Sequence, residues 1–88
     1  MIEKVVKIIN NAGMHTRPAS TIVKIAAKYK SDFIISKDGF EVNGKSIIGV
    51  MTLAAEKGSE LTLKFDGPDE EYLCREITDF FERGFDEM

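Results

Sequence analysis

The sequence has one cysteine, Cys74, so no internal disulfide can form. It also has one histidine, His15, and a single His with a single Cys cannot supply the ligands of a structural zinc site. No metal or cofactor is therefore expected. No apolar run approaches the roughly 20 residues that cross a bilayer, which excludes an ordinary transmembrane helix. The formal net charge of −3 argues against a nucleic-acid binder. Met1-Ile2-Glu3-Lys4 runs straight into a strand pattern and lacks the layout of a signal peptide. Together with the lone thiol, that makes the reducing cytoplasm the expected compartment. There is no base paired with a nucleophile and no Gly-rich nucleotide loop, so an independent catalyst is not expected.

What is present reads as a single soluble domain spanning residues 1–88. The hydrophobic share of 43% and charged share of 31% are ordinary for a globular chain. A chain of this length buries only about 60–65% of its unfolded surface, so the core is modest. Ile2 to Ile9 is rich in β-branched residues and reads as a strand. Asn10 to Gly13 is loop by composition. Ala19 to Tyr29 reads as an amphipathic helix, with Ala19, Ile22, Val23, Ala26 and Tyr29 on its buried face. Asp32 to Lys37 and Phe40 to Val42 make a hairpin about Asp38-Gly39. Ile47 to Ala55 reads as a short helix capped by Ser46 and stopped by Gly58. Glu60 to Asp66 alternates cleanly as a fourth strand. A last helix follows Gly67-Pro68-Asp69, carrying Leu73, Ile77, Phe80, Phe81 and Phe85 on one face, with Cys74 beside them as a small packing residue. The order β-α-β-β-α-β-α predicts an α+β two-layer sandwich, with helices on one face of a four-stranded antiparallel sheet.

One stretch carries chemistry: Gly13-Met14-His15-Thr16-Arg17-Pro18-Ala19. Proline suits the first turn of a helix, so Pro18 marks a helix start, with Thr16 or Arg17 near the cap. His15 then lies just ahead of a helix N-terminus, where free N–H groups and the dipole favour an anion. Arg17 adds a guanidinium fork suited to phosphate oxygens. A neutral imidazole nitrogen can attack a phosphoryl group, and the ring is largely neutral near pH 7 at its unperturbed pKa of about 6.5. The neighbourhood suggests a phosphohistidine site. Ser46 is a second position, because a phosphate there would add about −1.5 to −2 charges at a helix N-terminus.

Both stretches have a family likeness. Gly13 to Ala19 resembles the phosphorylation-site signature of HPr, the histidine-containing phosphocarrier family of the phosphoenolpyruvate sugar phosphotransferase system. Asn43-Gly44-Lys45-Ser46-Ile47-Ile48-Gly49-Val50-Met51-Thr52-Leu53 resembles that family's regulatory-serine motif, and the resemblance spans essentially the full chain. It implies that His15 accepts a phosphoryl group from enzyme I on Nδ1 and passes it to an IIA domain. Thr16, Arg17 and Pro18 would form the phosphate cradle, with Arg17 binding the phosphoryl oxygens. Ser46 would be the target of an HPr kinase/phosphorylase. The family also implies sheet order 1-4-2-3 and a monomer.

Met14, Ile47, Ile48 and Met51 lie next to the two sites and are expected to form a docking patch with Thr16 and Lys24. Arg17, Lys24, Lys28 and Lys45 are expected to give that face a local positive charge. Two other readings are open: a nitrogen-related or regulatory phosphorelay carrier without sugar transport, and a non-phosphorylated binding module of the same fold.

Overall fold

The computed structural model describes residues 1–87. Its elements are β1 (Ile2–Lys7), α1 (Thr16–Ala27), β2 (Asp32–Lys37), β3 (Phe40–Asn43), α2 (Ile47–Thr52), β4 (Glu60–Asp66) and α3 (Glu70–Glu82). A 3₁₀ turn at Gly84–Asp86 follows. The strands form one antiparallel sheet in the order β1-β4-β2-β3, as the family likeness implied.

The sheet is one-sided because its strands alternate. Phe33 and Ile35 on β2, and Leu61, Leu63 and Phe65 on β4, are buried on the face that the three helices cover. Their neighbours Val5, Lys64 and Glu41 face outward. Phe33 and Phe65 are direct cross-strand partners, and their rings stack with centroids 4.9 Å apart. Gly44 lies against the Phe33 ring and donates its N–H to the Phe33 carbonyl at 2.7 Å. A Cβ at Gly44 would stand 2.2 Å from the Phe33 ring, so the chain entering α2 passes where only glycine fits. The hairpin turn has Asp38 and Gly39 both at positive φ (53° and 83°), the twist that two-residue hairpins need.

Several boundaries differ from the sequence reading. Strand β1 ends at Lys7, although Ile8 stays tied to the turn before β4 by bonds to Ser59 and Gly58. Helix α1 begins at Thr16, with His15 as N-cap, instead of after Pro18. A proline is tolerated there because the first-turn N–H groups have no helical acceptor anyway. The buried face of α1 includes Ile25, while Val23 is half-buried. Helix α2 ends at Thr52, where Ala54 turns left-handed at φ 47°, and Gly58 serves the later turn into β4. Phe85 is buried as expected, but it belongs to the 3₁₀ turn beyond α3. Cys74 is buried, and burial pushes its thiol pKa up, as suits a packing residue.

The α1–β2 connection is locked to the start of α3 by one carboxylate. Asp69 accepts hydrogen bonds from the Ser31 hydroxyl at 2.5 Å and from the Lys30 and Ser31 N–H groups at 2.9 Å each. The Ser31 hydroxyl comes first among the causes that lower the Asp69 pKa to about 2. A depressed carboxylate stabilises the fold above its ordinary pKa and ceases to do so as pH falls through the folded value. Thermal midpoints should therefore drop between about pH 4 and about pH 2. An Asp69→Asn variant, measured by circular dichroism across the same window, should lose that component of the drop.

Candidate functional site

The loop ahead of α1 is shaped by three features. Gly13 is left-handed at φ 72°, and a Cβ there would lie 2.6 Å from the Ala55 carbonyl oxygen. The next residue, Met14, donates its N–H to that same carbonyl at 2.9 Å. Asn10 is buried and donates its side-chain N–H to the Gly13 carbonyl at 2.9 Å. These contacts fix the path into the helix and bring His15 to the N-cap position in extended backbone (φ −83°, ψ −168°).

The His15 ring is therefore attached at the mouth of α1. Its side chain is 39% accessible and makes no capping bond of its own. The Ala19 N–H closes the first helical bond on the His15 carbonyl at 3.0 Å. Pro18 has no N–H, so the free backbone donors of the first turn are those of Thr16 and Arg17. Pro18 itself is buried and shapes the turn without contributing a donor to a cradle. Arg17 is 81% accessible.

Sequence reasoning did not find Glu87. Its carboxylate lies 2.8 Å and 3.0 Å from His15 Nε2 and 3.8 Å from Arg17 Nε. It also accepts a 2.8 Å bond from Asn10. The bond from His15 comes first among the causes that hold the Glu87 carboxyl below the usual glutamate range, with Asn10 and Arg17 adding to it. No local pattern points to this contact, because its partners are 72 and 77 residues apart in sequence.

The second predicted site lies on α2. Ser46 is the N-cap, and its Oγ accepts the Gly49 N–H at 3.1 Å, as expected. Ile47, Ile48 and Met51 are exposed, and Val50 alone of this helix is fully buried. Met14, expected in the same patch, is instead in the core. The left-handed turn at Gly13 and the bond to Ala55 tuck it inward, so its side chain cannot meet a partner. The expected basic face is also thinner than four charges. Lys28 pairs with Glu76 at 2.8 Å, and Lys45 donates to the Tyr29 carbonyl at the end of α1 at 2.8 Å. Thr16 and Lys24 are exposed.

The pattern described as PTS HPr component phosphorylation site matches residues 2–83. The chain belongs to the HPr family. It is 44% identical over 87 residues to the phosphocarrier protein HPr of Treponema pallidum (strain Nichols), covering 99% of each chain. Among solved structures it resembles HPr-C-His from Thermoanaerobacter tengcongensis, with TM-score 0.96, 38% identity and coverage of 100% and 99% of the two chains. It also resembles an HPr dimer from the same organism, with TM-score 0.77, 38% identity and coverage of 97% and 98%. The HPr family is the phosphocarrier family of the phosphotransferase system, and the phosphorylation-site domain is present in this chain. No helix among the described residues is long and apolar enough to cross a membrane.

Removing the Ser46 hydroxyl leaves the Gly49 N–H without its cap. Ser46→Ala should lower unfolding stability by about 1 kcal/mol in urea titrations, while Ser46→Asp, which can still cap, should lose less.

Proposed function

We propose that this chain carries a phosphoryl group on His15, taking it from phosphorylated enzyme I and handing it to IIA domains during sugar uptake. The observation that carries this reading is the placement of an accessible imidazole at the N-cap of α1 with an exposed arginine two residues on. The helix dipole, the Thr16 and Arg17 N–H groups and the Arg17 guanidinium together suit an oxyanion attached to the ring. Arg17 rests near Glu87 at 3.8 Å, a loose contact that it can leave for a phosphoryl group. His15 is the acceptor, Arg17 binds the oxygens, and Thr16 contributes its backbone donor. Pro18 fixes the turn.

Ile47, Ile48 and Met51, with Thr16 and Lys24 nearby, form the surface on which partners dock. Ile48 is the most exposed of the three apolar residues, at 77%. Three apolar side chains make a small contact, which suits a carrier that must release its partners quickly. Ser46 borders this patch, so a phosphate added by an HPr kinase/phosphorylase would place negative charge at the docking edge and slow uptake at His15. Phosphoryl uptake and release at His15 require no second copy of the chain, and a monomer suffices for this reading.

The test is phosphoryl uptake. The protein is incubated with enzyme I and labelled phosphoenolpyruvate, beside His15→Ala and Ser46→Asp variants. Acid-labile label is expected on the wild type, none on His15→Ala, and slower labelling on Ser46→Asp. Label on His15→Ala, or none on the wild type while a control carrier is charged, would reject the carrier reading.

A further inference from the structure

Glu87 lies on the side of the ring that phosphoryl transfer to Nδ1 leaves unused. Resting on the carrier reading above, we infer that Glu87 is a positioning residue. Its carboxylate holds the His15 proton on Nε2 and so leaves the Nδ1 lone pair as the nucleophile.

An ionised carboxylate can only accept hydrogen bonds, so Nε2 within 2.8–3.0 Å of both Glu87 oxygens must be the protonated nitrogen. The reverse arrangement needs a protonated Glu87, and the same contacts that surround this carboxyl disfavour that form. Among the described residues, no hydrogen bond engages Nδ1. A ring with Nε2 spoken for and Nδ1 free has one available lone pair.

The carboxylate is itself firmly held. Asn10, almost wholly buried, bridges Glu87 to the Gly13 carbonyl, so the tail and the loop before His15 share one side chain. The chain reaches this point through two successive left-handed residues, Phe85 (φ 59°) and Asp86 (φ 60°). For a phenylalanine that conformation is uncommon and strained. The strain is offset by burying the Phe85 ring against Phe80 and Phe81, with centroids 5.2 and 5.0 Å away. Arg83 adds a 2.7 Å bond to Asp86 across the turn. A backbone held in this way delivers Glu87 to the ring.

The Nδ1 lone pair forms a bond to phosphorus as the bond from phosphorus to the donor atom breaks, and that electron pair leaves with the donor. The Nε2 proton stays in place, so the ring becomes a cation, which the adjacent carboxylate stabilises. In onward transfer the acceptor's lone pair bonds to phosphorus as the Nδ1–phosphorus bond breaks and its electron pair returns to Nδ1, and Glu87 favours the protonated ring, which is the better leaving group.

Ring-¹⁵N-labelled His15, observed by NMR in the unphosphorylated protein at alkaline pH, reports the tautomer directly. The wild type should show the Nε2–H form alone, and Glu87→Ala a mixture. Glu87→Gln, whose side-chain oxygen still accepts, should keep the Nε2–H form but lose the negative charge. Uptake from phosphorylated enzyme I should fall about tenfold in both variants, equivalent to 1.4 kcal/mol of transition-state stabilisation. Thermal midpoints check that each variant folds. An identical tautomer population in wild type and Glu87→Ala, or an unchanged uptake rate beside a changed population, would overturn the role of Glu87. If the wild type takes up no label, the carrier reading fails, whereas the tautomer comparison still decides what Glu87 does to the ring.

Discussion

The contact between His15 Nε2 and Glu87, 2.8 Å at its shortest, ties the tail beyond α3 to the start of α1. The rest of the site depends on it and on the buried Asn10 that joins the same carboxylate. A histidine at a helix N-cap is otherwise a side chain on a flexible hinge, able to present either nitrogen. Here Nε2 is engaged from within the protein, while among the described residues Nδ1 has no hydrogen-bond partner. The arrangement resembles the way a carboxylate orients a catalytic imidazole in a hydrolase triad, with a phosphoryl group in place of an acyl group.

That site needs a rigid base, and the sheet supplies it. Phe33 stacked on Phe65, with Gly44 against the Phe33 ring, fixes where the chain leaves β3 for α2. Asp69, bonded to Ser31 and Lys30, fixes where α1 ends relative to α3. With both helices anchored, α2 can turn Val50 and the following Leu53 inward and still leave Ile47, Ile48 and Met51 exposed. A core of this size has little surplus stability, so exposing three apolar side chains on one short helix is a cost that folding alone does not explain. The proposed docking of partners would use this exposed face.

Much of this was legible in the sequence, and the exceptions share a cause. The strands β2 and β4, the Asp38-Gly39 hairpin and the Ser46 cap follow from periodicity and turn chemistry, which are local. The start of α1 was misplaced because Pro18 suggested a first-position proline, whereas two residues with helical geometry precede it. The end of α2 was overrun because Leu53 and Ala55 continue the apolar pattern after the helix has stopped, their burial set by the fold instead of by helical spacing. Met14 was assigned to the surface from its position beside His15, and only the Gly13–Ala55 contact shows why it turns inward. Glu87 is the extreme case. An acidic residue near the end of a chain is unremarkable by composition, and its role becomes visible only when two left-handed residues and a buried Phe85 fold it back.

The central claim is that the ring carries phosphorus on one particular nitrogen while the other keeps its proton. The most direct test is the one-bond ¹⁵N–³¹P coupling in ring-labelled, phosphorylated protein, read together with the coupling of the remaining ring nitrogen to its proton. The account predicts phosphorus on Nδ1 of His15 and a proton on Nε2 facing Glu87. Phosphorus on Nε2, where Glu87 now lies, would contradict it.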